Sequence, residues 1–391
     1  MEKINELDFK SITNLKKNFK VKWYRSNIEK NKFREFVSRN NYKGFFHAIG
    51  HLLLWLITGA LSYEFFNKGE WLWFIISIFL HGTVGSFFGP AHHELGHGTV
   101  FKSKRLNAIF HVIFSTLGLY NIHDFKISHT YHHLYTMHPE GDGEVLLPLQ
   151  PSLRFILLFQ LFTINFKGIY NRLSYFISTS FNKYHNGTSV GSGDNEEEWL
   201  RHVYEGEPKK RQKSVYYARY VLGFHVLVCC SCLLIGEPIL IILITGHSFI
   251  ANWLNYFVAM TMHCGLRGNV SDFRLNTRSV SLDPITEFLY WHMNWHIEHH
   301  MFPGVPFYNL KKLHNFLKDD MPKPRTLKSA WYEMRETWKR QQVENDYVYD
   351  TKIPQISGNS EKIVTIKKDL TTKNHSNEEI FDELTEMMNK E

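Results

Sequence analysis

The stretch WLWFIISIFLHGTVGSFFGPAHHELGH, residues 71–97, carries two signals end to end. Residues 71–90 are apolar over close to the roughly 20 positions that a helix needs to cross a bilayer. Just beyond Pro90 come His93 and His97, four apart and therefore stacked on one face of a helix. A membrane helix that emerges into paired imidazoles predicts metal chemistry at the edge of a bilayer.

Three more apolar runs of similar length occupy residues 45–66, 217–235 and 239–262. The four runs form two tight pairs, joined by residues 67–70 and 236–238, and links that short force helical hairpins. The expected fold is all-α: an integral membrane protein with four transmembrane helices in two hairpins and a cytosolic helical cap that holds a di-metal site. Residues 1–43 hold 12 basic and 5 acidic residues, a local charge of +7 that equals the excess of the whole chain. This segment contains no apolar core of a cleavable signal, so insertion is expected to rely on the internal helices. Residues 98–214 carry 13 Lys and Arg, whereas the two short links carry only Lys68. By the positive-inside rule the N-terminus, the histidine clusters and the C-terminus are expected on the cytosolic side of a multi-pass protein.

Within this plan, residues 1–43 form a basic N-terminal segment, 44–339 the membrane domain, and 340–391 a polar tail expected to be disordered. Residues 107–120 and 153–166 are apolar but too short to span comfortably, and read as interfacial or core-packing helices. Residues 182–214, with Asn-Gly, Gly-Ser-Gly and blocks of like charge, read as a flexible loop.

The chain has 23 histidines in 391 residues, and their clustering carries more information than their number. His129-Thr-Tyr-His132-His133 and His296-Ile-Glu-His299-His300 both follow His-x-x-His-His. At the observed histidine frequency, chance supplies only about 0.08 copies of that pattern in such a chain. Positions i, i+3 and i+4 fall within an arc of roughly 100° on a helix, so each box turns three imidazoles to one side. With His93 and His97, eight rings from three helices could surround two metal ions. His263 ends the fourth apolar run at the cytosolic edge, where it could reach the same site, and completes a candidate set of nine ligands. Neutral imidazole suits iron, copper, nickel or zinc, so the residues alone leave the element open.

His93-Glu94-Leu95-Gly96-His97 matches a zinc-protease signature with Glu94 as the base, but a single-zinc protease leaves six box histidines unexplained. A histidine-rich metal transporter or sensor is an alternative of another class. Transport sites, however, sit near the bilayer midplane, and the boxes lie outside the apolar runs. His47, His51, His81, His111, His225 and His247 stand singly on apolar stretches and read as packing or hydrogen-bonding residues. His92, His123, His138, His292 and His314 lie near the boxes and read as their supports. Cys229, Cys230, Cys232 and Cys264 have no paired spacing and read as buried thiols. Lys209, Lys210, Arg211 and Lys213 fit either anionic partners or a solvated topology signal. Arg267, Arg274 and Arg278 fit either carboxylate or phosphate binding or orientation of the cap. Nucleic acid is not an expected partner, because the positive excess is concentrated beside membrane spans. The sequence also lacks a Gly-rich nucleotide loop, and no catalytic side chain beyond the metal ligands is singled out.

Over roughly residues 44–313 the sequence resembles the membrane fatty acid desaturase superfamily, on His93-Glu-Leu-Gly-His97, Ser128-His129-Thr-Tyr-His132-His133 and Asn294-Trp-His296-Ile-Glu-His299-His300-Met-Phe-Pro303. The resemblance implies two iron ions that activate dioxygen and an oxidoreductase that removes two hydrogens from a fatty acyl chain in the membrane. Hydroxylases and ketolases with the same boxes are the nearest alternative. The acyl-CoA branch is similar to His-x-x-x-x-His in its first box, available here only if His92 replaces His93. It also has Asn where Ala259 stands, four residues before His263. Front-end desaturases resemble Gln-x-x-His-His in the third box and carry a fused haem domain marked His-Pro-Gly-Gly. His296 and the absence of that tetrapeptide imply electrons from a separate electron-transfer protein.

Overall fold

The computed structural model describes residues 19–145, 153–186 and 196–354. Parts of three sequence expectations therefore lie outside the described residues: 1–18 of the basic segment, 187–195 of the loop and 355–391 of the tail. The described chain is mostly helical. After a short helix α1 (Lys30–Phe36), α2 (Asn41–Asn67) begins where the Asn40 side chain accepts a hydrogen bond from the Lys43 amide. It turns back through Lys68 to Glu70, with Gly69 at φ +70, into α3 (Trp71–Ser86). A break at Phe87 then leads into α4 (Phe88–Gly96). A third long helix, α10, spans Pro208–Leu234.

Among the described residues, three stretches are long and apolar enough to cross a membrane: Lys30–Asn67, Trp71–Gly96 and Pro208–Leu234. Their outward faces are apolar, with Leu53, Leu56 and Ile57 on α2, Leu72, Ile75 and Ile76 on α3, and Leu227 and Leu233 on α10 all exposed. Patches of that extent are rare on water-soluble monomers, and a lipid bilayer is the solvent that suits them.

The fourth apolar run differs from expectation. Instead of one helix over residues 239–262 it forms α11 (Ile239–Ile241), a π turn (Ile242–Gly246), a 3-10 turn (His247–Phe249) and α12 (Trp253–Ala259). The physical reason is a competing backbone partner. The Asn165 amide donates to the Phe249 carbonyl at 2.8 Å and the Ala251 amide to the Thr163 carbonyl at 2.9 Å, making an antiparallel bridge between Ile164 and Ile250. Ala251 takes φ 47 to complete the bend. Gly82 permits it, because a Cβ there would lie 2.3 Å from the Ile250 carbonyl oxygen.

Irregular backbone among apolar helices survives only if its polar groups find protein partners. Single histidines supply them: His81 Nε2 lies 2.9 Å from the Leu243 carbonyl, inside the π turn. His225 Nε2 and His247 Nε2 lie 2.8 and 3.1 Å from the Thr116 and Leu117 carbonyls, at the end of α5 (Lys104–Leu117). Helix ends leave carbonyls without intrahelical donors, and these imidazoles take the place of water. That is the hydrogen-bonding role read for them from sequence.

The rest of the described chain is a set of shorter helices. It comprises α5, α6 (Ile122–Tyr135), α7 (Phe155–Phe162), α8 (Phe166–Ser180), α9 (Glu196–Val203), α13 (Phe273–Asn276), α14 (Pro284–Leu289), α15 (His296–Met301), α16 (Phe307–Phe316) and α17 (Leu327–Gln341). One parallel pair, β1 (Val280–Ser281) with β2 (Arg325–Thr326), ties α17 to this set. The expected loop over 182–214 is more ordered than its composition suggests. Trp199, Leu200 and Val203 bury one face of α9, and the Trp199 indole donates to Ser128 Oγ at 2.8 Å. Arg211 is likewise buried, donating to the Lys183 carbonyl, while Lys209, Lys210 and Lys213 stay exposed. Packing also continues past residue 340, where the tail was expected to begin. The Tyr349 amide donates to the Gly265 carbonyl, and Thr351 is buried. All four cysteines are free thiols, with Cys230 exposed, Cys229 half-buried and Cys232 and Cys264 buried.

The close approach at α3 is testable. A Cβ at Gly82 or Gly85 would meet the Ile250 carbonyl at 2.3 Å or His247 Nδ1 at 2.0 Å. Gly82→Ala and Gly85→Ala should each destabilise the protein by about 1–3 kcal/mol through overpacking, read as a lowered thermal midpoint in detergent. An unchanged midpoint in both would show that the broken segment is free to shift.

Candidate metal centre

Each histidine box rides on an element whose start or end is fixed by local chemistry. His93 lies in α4 and His97 caps it, one turn on. In α6, which carries His129, His132 and His133, the Asn121 side chain accepts from the His123 and Asp124 amides and starts the helix. Asp124 in turn accepts from the Tyr204 hydroxyl at 2.6 Å and from the Tyr175 hydroxyl, which anchors α6 to α8 and to the chain after α9. α15 carries His296, His299 and His300, and the preceding Trp295 indole donates to Glu287 at 2.6 Å. His263 follows α12 in an irregular turn that ends at Gly265, φ +75.

These elements bring all nine sequence-predicted residues together, in two sets. One contains His93, His97, His129, His133 and His299, the other His132, His263, His296 and His300. Within each set the ligand atoms lie within 4.8 Å of one another. The sets share a wall, where the His133 and His300 rings stack at 4.4 Å between centroids. The partition refines the sequence reading that each box turns its three rings to one place. In each box the residues at i and i+4 enter one set and the residue at i+3 enters the other. His132 thus leaves the α6 pair for the set of α15, and His299 makes the reverse exchange. The 100° arc between i+3 and i+4 is what allows one helix to serve two centres.

The ring nitrogens are sorted by direction. Nε2 atoms point inward, with His97 to His129 at 3.2 Å, His129 to His133 at 3.0 Å, and His263 to His296 and His296 to His300 at 3.1 Å. Several Nδ1 atoms are tied outward. His132 meets Asp142 at 2.9 Å, His129 meets Glu144 at 2.9 Å and His93 meets Glu94 at 3.1 Å. His263 meets the Asn276 carbonyl at 2.9 Å and His300 meets Thr136 Oγ1 at 3.1 Å. A ring that donates from Nδ1 presents a lone pair at Nε2, the arrangement that fixes the tautomer of a metal-ligating histidine.

The electrostatics agree with that tautomer. Burial holds His97 and His263 down at about 3, and it also pushes His129, His133, His296, His299 and His300 well below the ordinary imidazole value. These rings are neutral at physiological pH. His132 departs from them: burial acts downward, but the Asp142 carboxylate, with Glu144 behind it, outweighs burial and raises the value. Glu144 itself is pushed up to about 7 by burial. His299 buries both ring nitrogens with no hydrogen-bond partner among the described residues, and His133 and His296 do so with Nδ1. Neutral imidazoles packed nitrogen to nitrogen are poorly satisfied by one another, whereas a cation satisfies them all. The donor sets therefore fit a nitrogen-ligated transition metal such as iron.

Several neighbouring residues are now placed. His92 turns away from both sets, with Nδ1 2.7 Å from Ser115 Oγ and 3.0 Å from His111 Nε2, so the first box contributes His93 and not His92. Glu94 backs His93 and lies 3.6 Å from His299 Nδ1, a supporting position and not that of a protease base facing open solvent. His314 pairs with Glu298 at 2.7 Å. Arg274 is held by Asp272 and Asp320, and Arg278 by Glu333, which gives both the cap-orienting role considered for them. The supports missed from sequence are Asp142, Glu144, Thr136 and Asn276. The only signal for the carboxylates is the short acidic Asp142-Gly143-Glu144 run, nine residues beyond His133.

The family model described as Fatty acid desaturase matches residues 69–331, a segment that contains all nine histidines. No curated protein matches the chain.

Two outcomes follow from this geometry. Asp142→Asn removes the charge behind His132 and should weaken metal binding by ~10–100-fold, measured by chelator competition; unchanged affinity would remove Asp142 from the site. Because the His132 value is raised, its ring must lose a proton before it ligates, so affinity at its set should rise with pH through neutrality. In Asp142→Asn that pH dependence should flatten, and a profile identical to wild type would refute the coupling.

Proposed function

Because the chain belongs to the fatty acid desaturase family, we propose that it desaturates a fatty acyl chain in the membrane, using two iron ions, dioxygen and electrons from a separate carrier protein. The observation that carries this reading is the partition of nine histidines into two adjoining sets beside the end of a membrane helix. His93, His97, His129, His133 and His299 would hold one ion, and His132, His263, His296 and His300 the other. Ions bound there would activate dioxygen, the oxidant for an unactivated C–H bond. Glu94, Asp142 and Glu144 keep the imidazoles oriented and set negative charge behind them. Phe125, 4.6 Å from the His129 ring, and Phe273, 5.5 Å from the His300 ring, wall the two sets with apolar surface that excludes water.

The membrane arrangement in this proposal has four crossings, the last made in pieces. α10 begins beside the site, where the Asn121 side chain donates to the Ser214 carbonyl, and its 27 residues extend about 40 Å to Leu234. The chain is back at the site by His263, so residues 235–262 retrace that distance. We take the histidine side, with both termini, as the cytosolic one; the 12 basic residues of 1–43 and the 13 of 98–214 support that reading through the positive-inside rule.

Expression with a reducing partner, followed by lipid mass spectrometry, tests the reaction. The expected product is an acyl chain lighter by two hydrogens and missing from a His132→Ala variant that has lost iron. A product heavier by one oxygen atom would instead mark a hydroxylase. Metal movement into vesicles without oxygen consumption would reject both.

A further inference from the structure

Eight of the nine histidines are seated in a helix or cap one, whereas His263 is carried by an irregular turn after α12. Something other than helical hydrogen bonding must hold that turn. The residue that does so is Arg278, whose side chain is fully buried. Its Nη1 donates to the Thr261 carbonyl at 2.6 Å, its Nη2 to the Cys264 carbonyl at 3.1 Å, and its backbone amide to the Met262 carbonyl at 2.8 Å. The carbonyls on either side of His263 are thus gripped by one residue. The neighbouring Asn276 carbonyl faces His263 Nδ1, so the same short segment fixes both the backbone and the ring.

A buried guanidinium must itself be compensated. Glu333 on α17 does this, accepting from Arg278 Nε at 2.8 Å and Nη2 at 2.5 Å, while its other oxygen accepts from Arg325 Nε at 3.2 Å. α17 touches the same turn a second time. Thr337 lies so close to Gly265 that a Cβ there would meet Thr337 Cγ2 at 3.2 Å, and the Tyr349 amide holds the Gly265 carbonyl at 2.8 Å. Glu333, Thr337 and Tyr349 all lie beyond residue 331, where the family match ends.

We infer that Arg278 and Glu333 are positioning residues for one metal ion: they hold the turn that delivers His263, so helix α17 sets retention of the ion bound by His132, His263, His296 and His300. This rests on the reading of the histidine sets as metal sites. The pair touches neither His93 nor His97 and should leave the other ion in place. Lysine cannot substitute at position 278, because one ammonium lacks the planar fork that reaches two carbonyls and a carboxylate together.

The test uses the full chain purified in detergent, with iron per chain measured after dialysis against a chelator. His263→Ala serves as the benchmark. Wild type should retain about two ions and His263→Ala about one; Arg278→Lys and Glu333→Ala should follow His263→Ala, with affinity for the weaker ion down ~10–100-fold. Glu333→Gln keeps an acceptor oxygen for the guanidinium and should restore most of the loss. Circular dichroism and elution volume should match wild type in Arg278→Lys, the variant that decides if Glu333→Ala fails to fold. Retention of both ions by Arg278→Lys, when His263→Ala loses one, would overturn the inference and leave the metal reading intact. Loss of both ions together in Arg278→Lys would also overturn it, since the effect would then be general. Absence of iron from wild type would instead defeat the metal reading itself, and the inference with it.

Discussion

The constraint on which the structure depends is the packing of nine imidazoles, most of them neutral, nitrogen against nitrogen in a largely buried cluster. Such a cluster is costly unless each ring is held in one tautomer with its second nitrogen satisfied. Much of the architecture on the histidine side meets that demand. Asp142 and Glu144 back α6, Glu94 backs α4, and the carbonyl of Asn276 and hydroxyl of Thr136 serve the second set. The carboxylates also place negative charge where two cations would otherwise repel. The membrane helices deliver one box directly, because α3 runs through the break at Phe87 into α4.

The same logic, in a different medium, explains the broken fourth segment. A continuous helix would satisfy its own backbone, but the partners offered by residues 163–165 bend the chain at Ile250 and free carbonyls among apolar helices. His81 answers the Leu243 carbonyl there, and His225 and His247 donate to carbonyls at the end of α5. The protein thus uses histidine in two ways. Along the spans the ring donates to carbonyls and is spent as a structural group, while at their end it donates outward and keeps its lone pair for a metal. Surroundings distinguish the uses, since isolated rings meet helix ends and clustered rings meet one another.

Much of this was legible in the sequence because spacing on a helix is geometry. The boxes, the first three apolar runs and the tight turns at Gly69 and Gly236 follow from local pattern alone, as does the nomination of His263 from its place at the end of an apolar run. What local pattern could not reveal depends on contacts between distant segments. The Ile164–Ile250 bridge joins residues far apart in sequence, so residues 239–262 read as one helix. Trp199, Leu200 and Val203 amount to a single amphipathic turn or two inside a polar stretch, and Trp199 is seated by Ser128 on α6 and by Gly143 in the turn beyond it. Asp142 and Glu144 look like ordinary loop acids until α6 is folded beside them. Arg278 and Glu333, 55 residues apart, carry no mutual signal at all.

The exchange of His132 and His299 between the two sets has a consequence for how the centre assembles. If each box served its own ion, α6 and α15 could fold and load independently. Because each lends one ring to the other's set, neither set is complete until both helices are docked, and Arg278 and Glu333 make the second set depend on α17 as well. Binding that requires assembled elements adds its free energy to their assembly. An ion in either set would therefore add to the docking of α6 and α15, while each set keeps its own ligands.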